Sequence, residues 1–265
     1  MTSLALPSSV LAPSWYELWR RHFLQNRGGM PTLPWAEPQR LTAAERRLVA
    51  RSIQQFQLGE FARGRGFMRR ASAHPILGSD PQWLPALQLF IAEEQEHSNI
   101  LGRYLDREGI PRLEGHWLDG MFRRLRKLAG LELCAAVLVT AETLAIPFYQ
   151  ALRDATHSPL LRAICVRILC DEAAHLKFQA LTLGLIRHPL GKRARAIRSL
   201  GHAVLFHGTA LLLWQEHRRV FRAAGWSFHR FWNEARREFE MLERQIGQVS
   251  AEGARFGSYD RQILD

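Results

Sequence analysis

Two short spacings in this chain could do metal chemistry. Glu94 is followed at the third position by His97, and Glu172 by His175. In an α-helix, residues three apart lie on one face, so each pair can aim a carboxylate and an imidazole at one point. Those are donors for a divalent transition metal. A lone Glu-x-x-His is weak, because a chain with this glutamate and histidine content shows on the order of one by chance. The surroundings of these two carry more weight. Stepping back eleven, seven and four residues from Glu94 gives Trp83, Leu87 and Phe90. All fall within about 40° of Glu94 on a helical wheel, so the glutamate occupies the centre of an apolar stripe.

The same steps from Glu172 give Leu161, Cys165 and Ile168; from Glu60, Val49, Ile53 and Phe56; from Glu142, Leu131, Ala135 and Leu138. Four helices each send one glutamate along the face that should be buried. Four desolvated carboxylates without cations would raise one another's pKa and cost several kcal/mol each. Two divalent ions cancel that charge. Four carboxylates and two imidazoles suit a dinuclear iron or manganese site better than zinc, which favours closed tetrahedral nitrogen and sulfur sets. Iron is the first choice, with manganese or a mixed manganese/iron pair as alternatives. The bland alternative is a bundle whose glutamates lie on helix flanks in water.

Elements to position these residues can be read from caps and breaks. Thr42 and Glu45 have the spacing of a capping box at the start of a first helix. Asp80 with Pro81, and Ser158 with Pro159, read as cap and first turn of two more. A long pattern from Leu128 to Ala155, interrupted by Pro147, lies between them. Beyond Pro189 come helices over about 192–224 and 227–250. Short connections join helices one to two and three to four, while "DREGIPRLEGHWLDG" joins two to three. That connectivity predicts an all-α, ferritin-like four-helix bundle with one long crossover and additional C-terminal helices. Residues 1–40 read as an N-terminal extension without sustained period, 41–188 as the bundle and 189–265 as helices packed on it. Counted from the two hairpin turns, the four glutamates lie at similar heights, roughly 20 Å along their helices.

"EEQEH" (Glu93–His97) and "DEAAH" (Asp171–His175) resemble the paired acidic motifs of the ferritin-like di-iron carboxylate superfamily, in particular its oxygen-activating oxidase and oxygenase branch. Soluble acyl-carrier-protein desaturases belong to that branch. The resemblance spans about residues 42–186. It implies that Glu60 and His97 bind one metal and Glu142 and His175 the other, with Glu94 and Glu172 bridging. It also implies that Asp171 orients His97 and Glu93 orients His175, as metal-bound histidines require. Some family features are missing. Ala145 and Ile146 stand where a threonine is usual, and Thr140 and Thr143 point elsewhere. Leu101 stands where ribonucleotide reductase small subunits carry a radical-bearing tyrosine. Tyr149 faces the core, where packing is its first role. Gly59, Gly64, Gly66 and Pro147 are candidates for outlining a route to the metals.

The resemblance implies an oxygen-dependent non-haem di-iron oxidoreductase that hydroxylates, desaturates or otherwise oxidises a largely apolar substrate. Two other classes compete: a ferroxidase or peroxide-detoxifying protein, and a non-catalytic metal-binding interaction protein. The 265 residues carry a net charge of +11, which favours acidic partners such as an electron-donor protein or a substrate on an acyl carrier. No aromatic-basic nucleic-acid motif accompanies the charge. The N-terminus does not read as a secretory signal and no uninterrupted apolar run is long enough for a membrane span. A cytoplasmic protein, active alone or as a homodimer, is expected. Cys134, Cys165 and Cys170 lie in apolar helical patterns and read as reduced core residues.

Overall fold

The computed structural model describes residues 14–29, 32–60, 65–75, 77–115 and 130–253. These form eight α-helices: α1 (Trp15–Gly29), α2 (Ala43–Glu60), α3 (Arg65–Ser72), α4 (Trp83–Arg107), α5 (Leu131–Ala155), α6 (Pro159–Arg187), α7 (Lys192–Ala223) and α8 (Phe228–Glu252). A single 3-10 turn spans Leu77–Ser79, and there is no strand among the described residues. The protein is all-helical.

Local chemistry sets the helix starts. The Thr42 amide donates to Glu45 Oε2 and the Glu45 amide to Thr42 Oγ1, each at 3.2 Å, which satisfies two amides that a helix N-terminus leaves unpaired. The other Glu45 oxygen accepts the His157 amide at 2.8 Å, tying the start of α2 to the turn between α5 and α6. Ser158 caps α6 by accepting the Leu161 amide at 3.3 Å, with Pro159 as its first residue. Asp80 does not cap α4, which begins at Trp83. Its side chain accepts the Gln82 amide at 2.8 Å and its carbonyl the Trp83 amide at 3.1 Å, so Asp80–Pro81–Gln82 closes a turn before the helix opens.

Helix α2 packs along α4 and α5 along α6. These pairs meet through α4 against α6, while α7 lies on α5 and α2, and α8 on α6 and α5. One continuous core runs through them, with Trp83, Tyr104, Phe148, Tyr149, Phe178, Phe221 and Phe231 fully buried. Helix α5 continues across Pro147 as a single element.

Three expectations need correction. Part of the segment expected to lack a sustained period is a helix, α1, whose Tyr16, Trp19 and Phe23 are buried against α4 and α6. The stretch expected as the first helix of the bundle is described as two elements, α2 to Glu60 and α3 from Arg65, and residues 61–64 lie outside the described residues. Gly64 lies outside the described residues, and a side chain at Gly59 would meet nothing within 4 Å. Cys170 is exposed whereas Cys134 and Cys165 are buried, because Cys170 is two residues from both Ile168 and Glu172 and so about 200° from their face.

Two helices, α5 and α7, are long and apolar enough to cross a membrane by length and composition, although no single uninterrupted run suggested it. The most apolar stretch of α5 is 72% buried inside the protein, and that of α7 only 17%.

Candidate metal centre

The apolar stripes deliver their glutamates to one place. On α4, Trp83, Leu87, Phe90, Glu94 and His97 are all buried, as are Leu161, Cys165, Ile168, Glu172 and His175 on α6. One donor atom from each of Glu94, His97, Glu172 and His175 lies within 4.8 Å of the others. His175 Nδ1 is 2.7 Å from Glu94 Oε1 and 3.7 Å from Glu172 Oε2, and His97 Nδ1 is 3.7 Å from Glu172 Oε1. Glu172 thus sits between the two imidazoles. Glu142 on α5 is buried beside them, and Glu60, the last residue of α2, is partly exposed with its carboxylate turned inward. The charges of Glu94 and Glu172 act on both.

The far sides of the imidazoles are held by acids. His97 Nε2 lies 2.9 Å from Asp171 Oδ2 and His175 Nε2 lies 3.0 Å from Glu93 Oε2. A carboxylate only accepts, so each Nε2 carries the proton and donates, and in a neutral ring Nδ1 keeps its lone pair. The crossing runs from α4 to α6 and back, which locks the two helices in register at the site. Asn26 on α1 completes the lattice, donating to Glu93 Oε1 at 2.9 Å and to Asp171 Oδ1 at 3.0 Å. Sequence reasoning missed Asn26. Its signal was the spacing Tyr16, Trp19, Phe23, Asn26, which places the amide on the same face as the three buried rings.

Tyr149 has a second partner besides the core. Its hydroxyl donates to Glu60 Oε1 at 2.9 Å, joining the end of α2 to α5. Thr143 and Thr140 spend their hydroxyls on the Val139 and Ala136 carbonyls, and Thr140 also meets His202. Leu101 and Ala145 are buried and apolar. Phe90 stands edge-on to the His175 ring at 4.8 Å and Phe23 lies 6.2 Å from it, so the imidazole is walled from water on that side.

Six buried polar atoms here lack a well-aligned hydrogen bond: Glu94 Oε1, His97 Nδ1, Glu142 Oε2, both Glu172 oxygens and His175 Nδ1, with Glu94 Oε1 and His175 Nδ1 facing each other as an ion pair at 2.7 Å. Buried polar groups are rarely left unpaired, because each costs on the order of 1–3 kcal/mol or more. The donors of Glu94, His97, Glu172 and His175 among them converge and could hold a metal ion.

Protonation tells the same story. Burial pushes the Glu142 and Glu60 carboxyls well above the usual carboxylate range, and the Glu94 and Glu172 charges push the same way. Burial and Glu94 raise Glu172. Burial alone would lower His175, but Glu94 and its other carboxylate partners hold it well above 6.5. His97 is raised likewise: burial lowers it, but the Asp171 hydrogen bond together with the Glu94 and Glu172 charges outweighs burial. Glu94 and Asp171 go down: burial opposes this, but His175 beside the first and His97 beside the second prevail. Raised groups stabilise the fold below their unfolded pKa values and lose that contribution as pH climbs through the folded ones. For Glu60, Glu142 and Glu172 the loss begins above 4.5, and for His97 and His175 above 6.5. The contributions of Glu94 and Asp171 are present above 4.5 and 3.8 and vanish only in acid. Metal-free protein should therefore lose thermal stability as pH rises from about 5 to 8, while bound cations replace the protons and widen the gap between loaded and metal-free midpoints. Scanning calorimetry across that range checks this; a gap that narrows with pH contradicts it.

No protein-family model matches the chain, and comparison with curated proteins and with solved structures finds no significant match.

Proposed function

We propose that the protein is a dinuclear non-haem metal oxidoreductase, with iron as its metal, that activates dioxygen to oxidise a largely apolar substrate. The observation that carries this reading is the crossed pair of carboxylate–imidazole hydrogen bonds, which turns His97 Nδ1 and His175 Nδ1 toward the buried Glu172 and Glu94 carboxylates. The arrangement of α2 with α4 and α5 with α6, each pair carrying a lone glutamate followed by Glu-x-x-His, supports a ferritin-like four-helix bundle as the fold behind it. Bound iron would supply the redox chemistry with dioxygen.

The chain's own residues do the rest. Glu94 and Glu172 would be shared between two cations, with Glu60 and His97 holding one and Glu142 and His175 the other. Asp171 and Glu93 fix the tautomer and aim of the imidazoles. Tyr149 holds Glu60 Oε1 and can pass a proton to or from that oxygen, a part that the threonines do not take. Phe90, Leu101 and Ala145 keep the surroundings apolar, which strengthens every charge interaction at the site and excludes water. The +11 charge suits an acidic electron donor or an acyl-carrier-bound substrate.

Anaerobic loading with ferrous ion should give two metals per chain and a Mössbauer spectrum that changes on mixing with oxygen. Oxygen uptake should then rise with apolar acyl substrates, free or carrier-bound. Fewer than two metals per chain refutes the dinuclear reading. Uptake driven by ferrous ion alone, untouched by any acyl chain, makes the protein a ferroxidase instead.

A further inference from the structure

Helix α7 is apolar on two opposite faces, and the fold uses only one. His202, Phe206, Ala210, His217 and Phe221 are buried against the rest of the protein. Two residues from His202 and from Phe206, and so about 200° round the helix, stands Val204. It heads a line of Ile197, Leu200, Val204 and Leu211, exposed by 69, 66, 67 and 51%. Phe228, 41% exposed and edge-on to Trp214 at 5.4 Å, extends this surface to the start of α8. No described residue packs over the line. A helix apolar all round is normally covered on all sides, and an exposed patch of this kind marks an interaction surface.

Charge says what covers it. Residues 199–215 contain no Asp, Glu, Lys or Arg, whereas Arg193 precedes the apolar line on the same face and Arg218, Arg219 and Arg222 follow it. All four are exposed, and no acid shares the face. Gly201 and Gly208 are open on this side and would let a second copy of α7 approach closely. Self-pairing, however, sets arginine against arginine in either direction. Parallel copies align each arginine with itself, and antiparallel copies that superpose the apolar lines bring Arg193 to Arg218 and Arg219. Like charges facing each other oppose association. A bilayer with anionic headgroups satisfies both features, accepting the apolar line below the headgroups while the arginines reach up to the phosphates.

We propose that α7 docks the protein side-on to an anionic phospholipid surface, with the outward line of Ile197, Leu200, Val204 and Leu211 in the lipid and the arginines at its two ends on the headgroups. Docking does not depend on the metal reading, since the surface is complete without the centre. If both hold, the apolar substrate comes from the membrane.

The test is flotation of the full chain, metal-free and iron-loaded, with phosphatidylcholine vesicles that lack or contain phosphatidylglycerol. Wild type should float with the anionic vesicles and stay down with the neutral ones. Val204→Glu combined with Leu211→Glu, and separately Arg193→Glu combined with Arg219→Glu, should each lower partitioning about tenfold or more, with helicity by circular dichroism unchanged because all four positions are exposed. Wild type that stays down with anionic vesicles, or floats equally with neutral ones, overturns the proposal. So does binding that the Val204/Leu211 variant retains, which would reduce the effect to surface charge. A concentration-dependent dimer in sedimentation velocity, lost in that variant and unaccompanied by flotation, would assign the face to a second copy.

Discussion

Replacing Glu172 with glutamine should stabilise the metal-free protein and abolish its response to iron. Glu172 is wholly enclosed, both its oxygens lack hydrogen-bond partners, and burial together with the Glu94 charge raises its pKa. An enclosed carboxylate among three others is a cost that only cations offset. Removing its charge at constant shape should recover about 1–3 kcal/mol in the absence of metal. For a chain of this size that raises the thermal midpoint by roughly 2–4 °C per kcal/mol. Wild type should gain about 2.7 kcal/mol when free ferrous ion stands a hundredfold above its dissociation constant. The variant should gain almost nothing and retain less than its full complement of iron, because the residue between the two imidazoles has lost its charge. Calorimetry of both proteins with and without iron, together with elemental analysis, reads all of this. A metal-free variant less stable than wild type, yet still stabilised by iron, would make Glu172 a packing residue and remove the centre from the argument.

The reason this site can be seen in the sequence is the same reason it is costly. A helix that buries one face must fill it with apolar side chains, so an acid at the centre of that face stands out by position. The step-back test isolates Glu60, Glu94, Glu142 and Glu172 because their neighbours one, two and three turns earlier are apolar. The acids beside the two central glutamates, Glu93 and Asp171, depend on the resemblance, since they lie about 100° from the stripe; their contacts with His175 and His97 are tertiary. Helix starts were legible where a side chain closes its own loop, as with Thr42 and Glu45. Asp80 closes a loop as well, but as a turn, and the sequence does not distinguish the two. The bonds of Asn26 to Glu93 and Asp171 and the Tyr149–Glu60 bond were not legible, because each joins helices far apart in the chain. Helix α1 escaped notice because Trp15 and His22 blur a stripe only three rings long. The second face of α7 was hidden for the opposite reason. Its apolar residues look like core, and only packing reveals that Ile197, Leu200, Val204 and Leu211 are left exposed.

Asp171 offers the sharpest separation between a residue that merely packs and one that positions a ligand. Its Oδ2 accepts from His97 Nε2 at 2.9 Å while Oδ1 accepts from Asn26 at 3.0 Å. Changing Asp171→Asn keeps the size but removes the charge that fixes the proton on Nε2 and makes Nδ1 the stronger donor to a cation. Iron affinity should fall about 10–100-fold, equivalent to about 1.4–2.7 kcal/mol of binding, as measured by competition with a chromophoric chelator. Glu93→Gln should act alike through His175. Asn26→Ala should have a smaller effect, because it orients the acids and not the imidazoles. Asn26→Ala combined with Asp171→Asn should cost less than the two separately, since they share a hydrogen bond. In metal-free protein the His97 pKa, raised mainly by its bond to Asp171, should drop in the Asp171→Asn variant and be followed by NMR titration. Reduced thermal stability with unchanged iron affinity and an unchanged His97 titration would show that Asp171 only holds α6 to α4.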